Sequence, residues 1–168
     1  MNDKYYDNLD ECIRDLLKLI TDYAVEGVKS NIGGPFGAGI IITEDNKYRI
    51  LVVERNNVIQ KKDPTCHAEV NAIRKACKIL NTPFLNNCIL VSTSKSCPMC
   101  ISAAIWAKIP GIYYASDYRR ATKVGFKDND IIEYLNDKND IIKEIRIDDE
   151  YINKMFDIWE NKKDRFDY

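Results

Sequence analysis

The sequence predicts an α/β fold, a three-layer α/β/α sandwich whose central sheet is covered by helices on both faces. Two observations predict it. Short β-branched runs alternate along the chain with segments whose apolar residues recur at steps of three and four, the patterns of strand and helix. Clusters of Gly, Pro, Asn and Asp punctuate the changes between them. Elements in this alternation bury their apolar faces together when the sheet lies between helical layers.

The elements follow in order. Leu9, Cys12, Ile13, Leu16, Leu17, Ile20, Ala24 and Val28 share one helix face, so a helix opens the chain. It stops before "SNIGGPFG", where Gly33, Gly34 and Pro35 mark a turn. The runs "FGAGIIIT" (36–43) and "YRILVVER" (48–55) flank "EDNK" and read as a hairpin. Asp63, Pro64 and Thr65 signal the start of a helix over about 65–80. A buried strand is expected at "NCILVSTS" (87–94). "CPMCISAAIWAKI" (97–109) is a helix ended by Pro110 and Gly111, and "IYYAS" (112–116) is a further strand. Residues 118–137 predict short helices broken at Gly125, and "DIIKEIRI" (140–147) a strand. Ile152, Met155, Phe156 and Trp159 make a last amphipathic helix that runs toward Tyr168. No repeat, linker or low-complexity block divides residues 1–168, so a single domain is expected.

Lys and Arg total 25 against 26 Asp and Glu, a formal charge of -1. That balance counts against nucleic acid as the main partner, because a phosphate backbone is gripped by a basic excess or stripe. The start of the chain has no basic segment followed by an apolar run, so no signal peptide is expected. No stretch approaches 18 consecutive apolar residues, so no membrane span is expected either. Six cysteines could form a disulfide framework, but that suits short secreted chains. A cytoplasmic location with most thiols free is the expectation.

The chemistry concentrates around the one histidine. His67 stands two positions before Glu69, at the head of the helix over 65–80. Cys97 and Cys100 open another helix as "CPMC". A Cys-x-x-Cys pair at a helix start presents both sulfurs to one point, and the helix N-terminus stabilises thiolates. With the imidazole, the set is a three-ligand Zn2+ site whose fourth position is left for water. Glu69 can stand over that position without binding the metal and carry a proton. His-x-Glu followed by Pro-Cys-x-x-Cys is a known signature of zinc nucleobase deaminases. Taken singly, a His-x-Glu pair is more often surface or core, and a Cys-x-x-Cys pair is equally a redox motif or two buried thiols. Cys12, Cys77 and Cys88 sit at apolar positions and read as inert core thiols. Cys66 adjoins His67, but a sequence neighbour of a ligand usually points elsewhere.

On these residues the chain resembles the cytidine-deaminase-like zinc deaminases, and within them the bacterial guanine deaminases. The shared stretches are "GGPFGA" (33–38), "RNNV" (55–58), "DPTCHAEVNAIRKACK" (63–78), "CIL" (88–90), "CPMC" (97–100), "IWA" (105–107), "YYA" (113–115), "GFKD" (125–128) and the closing Trp159 and Tyr168. The resemblance implies a five-stranded mixed sheet between helical layers. It implies zinc held by His67, Cys97 and Cys100, and Glu69 as proton shuttle. Asn56 would hydrogen-bond a purine, Phe36 and Trp106 would flank its ring, and the Ala68 backbone would meet its edge. Asp128 would move a proton to the leaving amine. Without the resemblance, Phe36 and Trp106 read as core aromatics, Asn56 as a turn residue and Asp128 as a helix cap. It further implies a homodimer in which the segment over about 148–168 can cross to the partner, so that Tyr168 closes a neighbour's pocket or its own.

Two departures stand against the family pattern. Lys95 and Ser96 precede the first cysteine where Glu-Pro is usual, and Cys66 stands where a small Ala is usual. Neither removes a ligand or the shuttle. The implied activity is zinc-dependent hydrolytic deamination of guanine to xanthine and ammonia. The alternatives are the same chemistry on another free base, an aminotriazine, a nucleoside or adenosine in tRNA. A non-enzymatic alternative is a zinc-stabilised binding module. The acidic isoelectric point of about 5.9 counts against tRNA.

Overall fold

Asn8 starts the first long element of the computed structural model, which describes residues 4–139, 141–147, 150–164 and 166. Its side chain accepts from the Glu11 amide, and Asp10 and Glu11 follow in the first turn, where the helix dipole favours negative charge. Helix α1 (Leu9–Lys29) then buries Cys12, Ile13, Leu16, Ile20 and Ala24 as one stripe. Ahead of it lies β1 (Tyr5–Tyr6). Strands β2 (Gly37–Glu44) and β3 (Lys47–Arg55) form the expected hairpin, turned at Asp45 and Asn46, both in the left-handed region. One turn of helix, α2 (Val58–Lys61), leads to α3 (Ala68–Leu80). After β4 (Cys88–Ser92), α4 (Pro98–Trp106) and β5 (Ile112–Tyr114) come the short helices α5 (Tyr118–Lys123) and α6 (Asp128–Leu135). They are separated at Gly125, whose φ of 98° suits glycine. A 3-10 turn precedes α7 (Asn153–Glu160).

The sheet runs β1-β3-β2-β4-β5 and is mixed. Only the β4–β5 pair is parallel, and its register sets Leu90 opposite Ile112. Five strands form, but one differs from expectation. Residues 141–147 form no strand: Ile145 and Ile147 are 79% and 81% exposed, and no neighbouring strand offers them a ladder. The fifth strand is β1, where Tyr5 and Tyr6 pair with Arg49 and Tyr48.

The sheet separates two cores. On one face Leu16 and Ile20 of α1 pack with Ile41 and Val91. On the other, Ala72 and Ala76 of α3 and Ala104 of α4 pack with Ile40, Leu51, Val52 and Leu90. The β2–β3 register slips by one between Ile40 and Ile41, so Ile40 faces Val52 and Ile41 faces Ile50. Leu51 is the extra residue, and the bulge turns it to the α3 face with Val52. Glycine lets α1 approach closely: a Cβ on Gly37 would stand 2.3 Å from the Ile20 carbonyl oxygen. Leu16, wholly buried, packs over Gly39. Leu16→Ala is therefore expected to lower the unfolding free energy by about 3 kcal/mol, read as a lower urea midpoint.

Candidate active site

Two helix starts meet on the α3 side of the sheet. His67 is the N-terminal cap of α3 and Cys97 that of α4, both with extended backbone. Pro98 occupies the first position of α4, where its missing N–H costs nothing and its φ suits the helix. Cys100 lies one turn further in. The fold brings these distant positions together: Cys97 Sγ is 3.6 Å from Cys100 Sγ, and both sulfurs are 3.6 Å from His67 Nδ1. Among the described residues they form a cluster able to hold a metal ion.

The spacing fits zinc. Bonds of about 2.3 Å to sulfur and 2.0–2.1 Å to nitrogen, set tetrahedrally, put ligand atoms about 3.8 Å apart (sulfur to sulfur) and 3.6 Å apart (sulfur to nitrogen). Cys97 is held well below the ordinary thiol range, first by the Cys100 S–H beside it and then by His67. Cys100, which donates to that thiolate, is pushed up. The hydrogen bond to Cys97 raises His67, and burial, with the Cys97 charge a lesser cause, raises Glu69 and Asp128.

The other groups surround a cavity of about 40 Å3 lined by Phe36, Asn56, His67, Glu69, Ser94, Lys95, Cys97, Phe126 and Asp128. Three larger surface grooves, of about 530, 630 and 720 Å3, contain none of the three candidate ligands. Glu69, in the first turn of α3, is buried, and burial is the main reason its carboxyl is raised. A carboxyl raised toward neutrality suits proton transfer in both directions. Asp128 opens α6 from inside its first turn, with Lys127 at the cap, and is also raised chiefly by burial.

Asn56 is buried, and its Oδ1 accepts from the amides of Gly34 and Val58. That fixes the amide orientation and leaves Nδ2 as the group for a ligand. A Cβ on Gly33 would fall 2.4 Å from that Oδ1, so glycine is required for the loop to lie against Asn56. Asn71 Nδ2 completes the scaffold by donating toward Arg55 O, Asn57 Oδ1 and Cys66 O, which ties the Asn56 loop to α3.

Two residues implied by the resemblance, Trp106 and Ala68, are not among those lining the cavity. Trp106 ends α4, six residues beyond Cys100 and thus about 9 Å further along the helix axis, and is 66% exposed. Ala68 adjoins His67 with its side chain buried, and it is not among the cavity-lining residues. Tyr168 lies outside the described residues. Phe126, by contrast, was not singled out from the sequence. It meets Phe36 edge-to-face at 4.6 Å and lines the cavity. The aromatic within "GFKD" was its only sequence signal. Cys66 is not a ligand, because its Sγ donates to Asp63 Oδ2 at 3.3 Å. All six cysteines are free, and burial pushes Cys12 and Cys88 up to about 11, as befits inert thiols.

Comparison with known proteins agrees with this geometry. Residues 11–116 match the family described as "Cytidine and deoxycytidylate deaminase zinc-binding region". The guanine deaminase of Bacillus subtilis (strain 168) is 43% identical over 120 residues, 71% of this chain and 74% of that protein. The tRNA-specific adenosine deaminase of Aquifex aeolicus (strain VF5) is 36% identical over 83 residues, 49% of this chain and 54% of that protein. The X-ray structure of guanine deaminase from Bacillus subtilis superposes with a TM-score of 0.84 at 36% identity, covering 92% of this chain and 98% of that one. The match extends over more than half the sequence and includes all three gathered ligands, so the chain belongs to the cytidine and deoxycytidylate deaminase zinc-binding family.

Proposed function

We propose that the chain is a zinc-dependent guanine deaminase that converts guanine and water to xanthine and ammonia. The observation that carries the reading is Glu69, buried in one cavity with two of the three ligands yet not itself a ligand. Bound zinc would supply a Lewis acid that brings the ionisation of water near neutral pH, about 7. Glu69 takes a proton from the attacking water and returns it to a ring nitrogen as oxygen adds at C2. Asp128 relays the proton of the new C2 hydroxyl to the departing amine, so ammonia leaves as C2 becomes a carbonyl. Asn56 Nδ2 donates to the purine and fixes which carbon faces Glu69. The likeness to the Bacillus subtilis enzyme supports guanine among possible bases. At about 40 Å3 the cavity has room for about one water, so a purine enters when the Phe36–Phe126 pair parts.

A substrate panel followed by ultraviolet absorbance tests the reading: guanine, adenine, cytosine, guanosine, an aminotriazine and tRNA, each with zinc-loaded protein. Guanine is expected to turn over fastest. Turnover of one of the others without guanine would overturn the assignment and keep the chemistry. Asn56→Asp separates recognition from scaffolding. It keeps the oxygen that accepts from Gly34 and Val58 but loses the donor, so KM is expected to rise about tenfold with little change in melting temperature.

The C-terminal segment supports a homodimer. Ten large apolar residues between Ile141 and Trp159 are 41–81% exposed, more than a monomer normally leaves in one segment. Residues 148–168 would cross to the partner, with Tyr168 at a pocket, and Trp106 would meet substrate only in such an assembly. Deleting residues 148–168 is expected to convert a dimer to a monomer in analytical ultracentrifugation. A cytoplasmic enzyme of purine metabolism is the setting this reading favours; among the described residues no helix is long and apolar enough to cross a membrane.

A further inference from the structure

Lys95 is exposed and yet lines the catalytic cavity, so it stands where the cavity meets solvent. Its place is held from the backbone outward. The Lys95 amide donates to Ser116 O at 2.7 Å, and the adjoining Ser96 O accepts from Tyr118 Oη at 2.8 Å. The Tyr118 ring also lies under the ammonium, with Nζ 4.9 Å from the ring centroid, a contact that favours a cation there. Among the described residues no carboxylate pairs with Lys95. The cavity is otherwise acidic. Glu69 and Asp128 bring carboxyls to the same space, and Lys95 is the one lysine or arginine among the lining residues. An ammonium free of any carboxylate at that place is a ready partner for an anionic oxygen, which the carboxyls would otherwise repel.

Substrate and product differ in charge. Guanine is neutral near neutral pH. A second carbonyl in place of the C2 amine makes the ring N–H more acidic, so part of the xanthine is an anion whose charge is shared with its carbonyl oxygens. We propose that Lys95 is a charge-selecting residue of the cavity: its ammonium binds the anionic form of xanthine, so the product holds the site against fresh guanine and slows turnover. The identity of the product rests on the deaminase reading above, whereas the preference for an anion rests on the cavity alone. Release of a product held in this way becomes a slow step of the cycle.

The test uses the full-length zinc protein and two ligands, xanthine and hypoxanthine, each titrated by calorimetry at one pH just above neutral. Hypoxanthine lacks the C2 carbonyl and stays largely neutral there. Lys95→Met keeps the reach of the side chain and removes its charge. It should cut the preference for xanthine over hypoxanthine about fivefold, the upper worth of an exposed charge pair. Inhibition of guanine turnover by xanthine should weaken by the same factor. Lys95→Arg keeps the charge and should hold the preference within about twofold of the wild type. Added salt should lower the preference of the wild type more than that of Lys95→Met, because an exposed charge pair is screened. An unchanged preference in Lys95→Met overturns the proposal, as does a loss that Lys95→Arg shares, because charge is then not the cause. If Lys95→Met loses its zinc, Lys95→Gln takes its place and is read in the same way. A wild type that deaminates nothing would refute the deaminase reading, while the two titrations would still judge Lys95.

Discussion

Glu69→Gln is expected to retain full zinc and lose turnover by a factor of about 10²–10⁴ or more, the usual worth of a positioned general acid–base. The substitution keeps the shape of the side chain and its place in the first turn of α3. What it removes is the capacity to take a proton, which no neighbouring group can supply from the same position. Cys97 and Cys100 would be committed to the metal, and Asp128 lines the cavity from a different helix, α6. KM should change little, because Glu69 acts on the transferring proton rather than on ground-state binding. Steady-state kinetics with metal analysis decides the matter. Wild-type kcat in a zinc-loaded Gln variant would refute the shuttle role of Glu69.

Cys100→Ser is expected to have the second large effect, on metal content, activity and stability together. Cys100 is wholly buried between Cys97 and α3, and its sulfur is one of the three clustered groups able to hold a metal. A hydroxyl is a poor zinc ligand beside a thiolate, so zinc content should fall toward zero and turnover with it. Stability should follow by linkage. A metal at about 1,000 times its Kd contributes about 4 kcal/mol, which for a chain of this size is a melting shift of about 8–16 °C. Chelation of the wild type should produce a shift of similar size, reversed by adding zinc. A variant that keeps its zinc would remove Cys100 from the ligand set.

Much of the site is legible in the sequence because its parts obey local rules. His67 and Cys97 both cap helices, and the cues for those starts lie within a few residues: Asp63, Pro64 and Thr65 for one, Pro98 for the other. A separation of two or three positions is enough to place Glu69 with His67 and Cys100 with Cys97. Elements without a period are not legible. Tyr5–Tyr6 is too short to alternate, and α2 is a single turn. The segment 140–147 misleads because spaced isoleucines read as a strand wherever they occur, whereas a strand exists only when a neighbour offers a ladder. Phe126 is hidden for a related reason. An aromatic in a loop carries no signal until its partner, Phe36 from 90 residues earlier, is placed against it.

By itself the sequence determined the order of the longer helices and strands in the first 116 residues, the candidate metal ligands and the presence of a carboxylate beside them. These follow from side-chain chemistry and from spacings shorter than one helical turn. Only the tertiary structure decided that Asn56 spends its oxygen on Gly34 and Val58 and keeps its nitrogen for a ligand. It alone decided that the Ser96 hydroxyl is buried without a hydrogen-bond partner among the described residues, and that Trp106 stands exposed at the end of α4. Each of these depends on which distant backbone group arrives within about 3 Å, and hydrogen bonds of that reach are settled by packing rather than by neighbours in sequence.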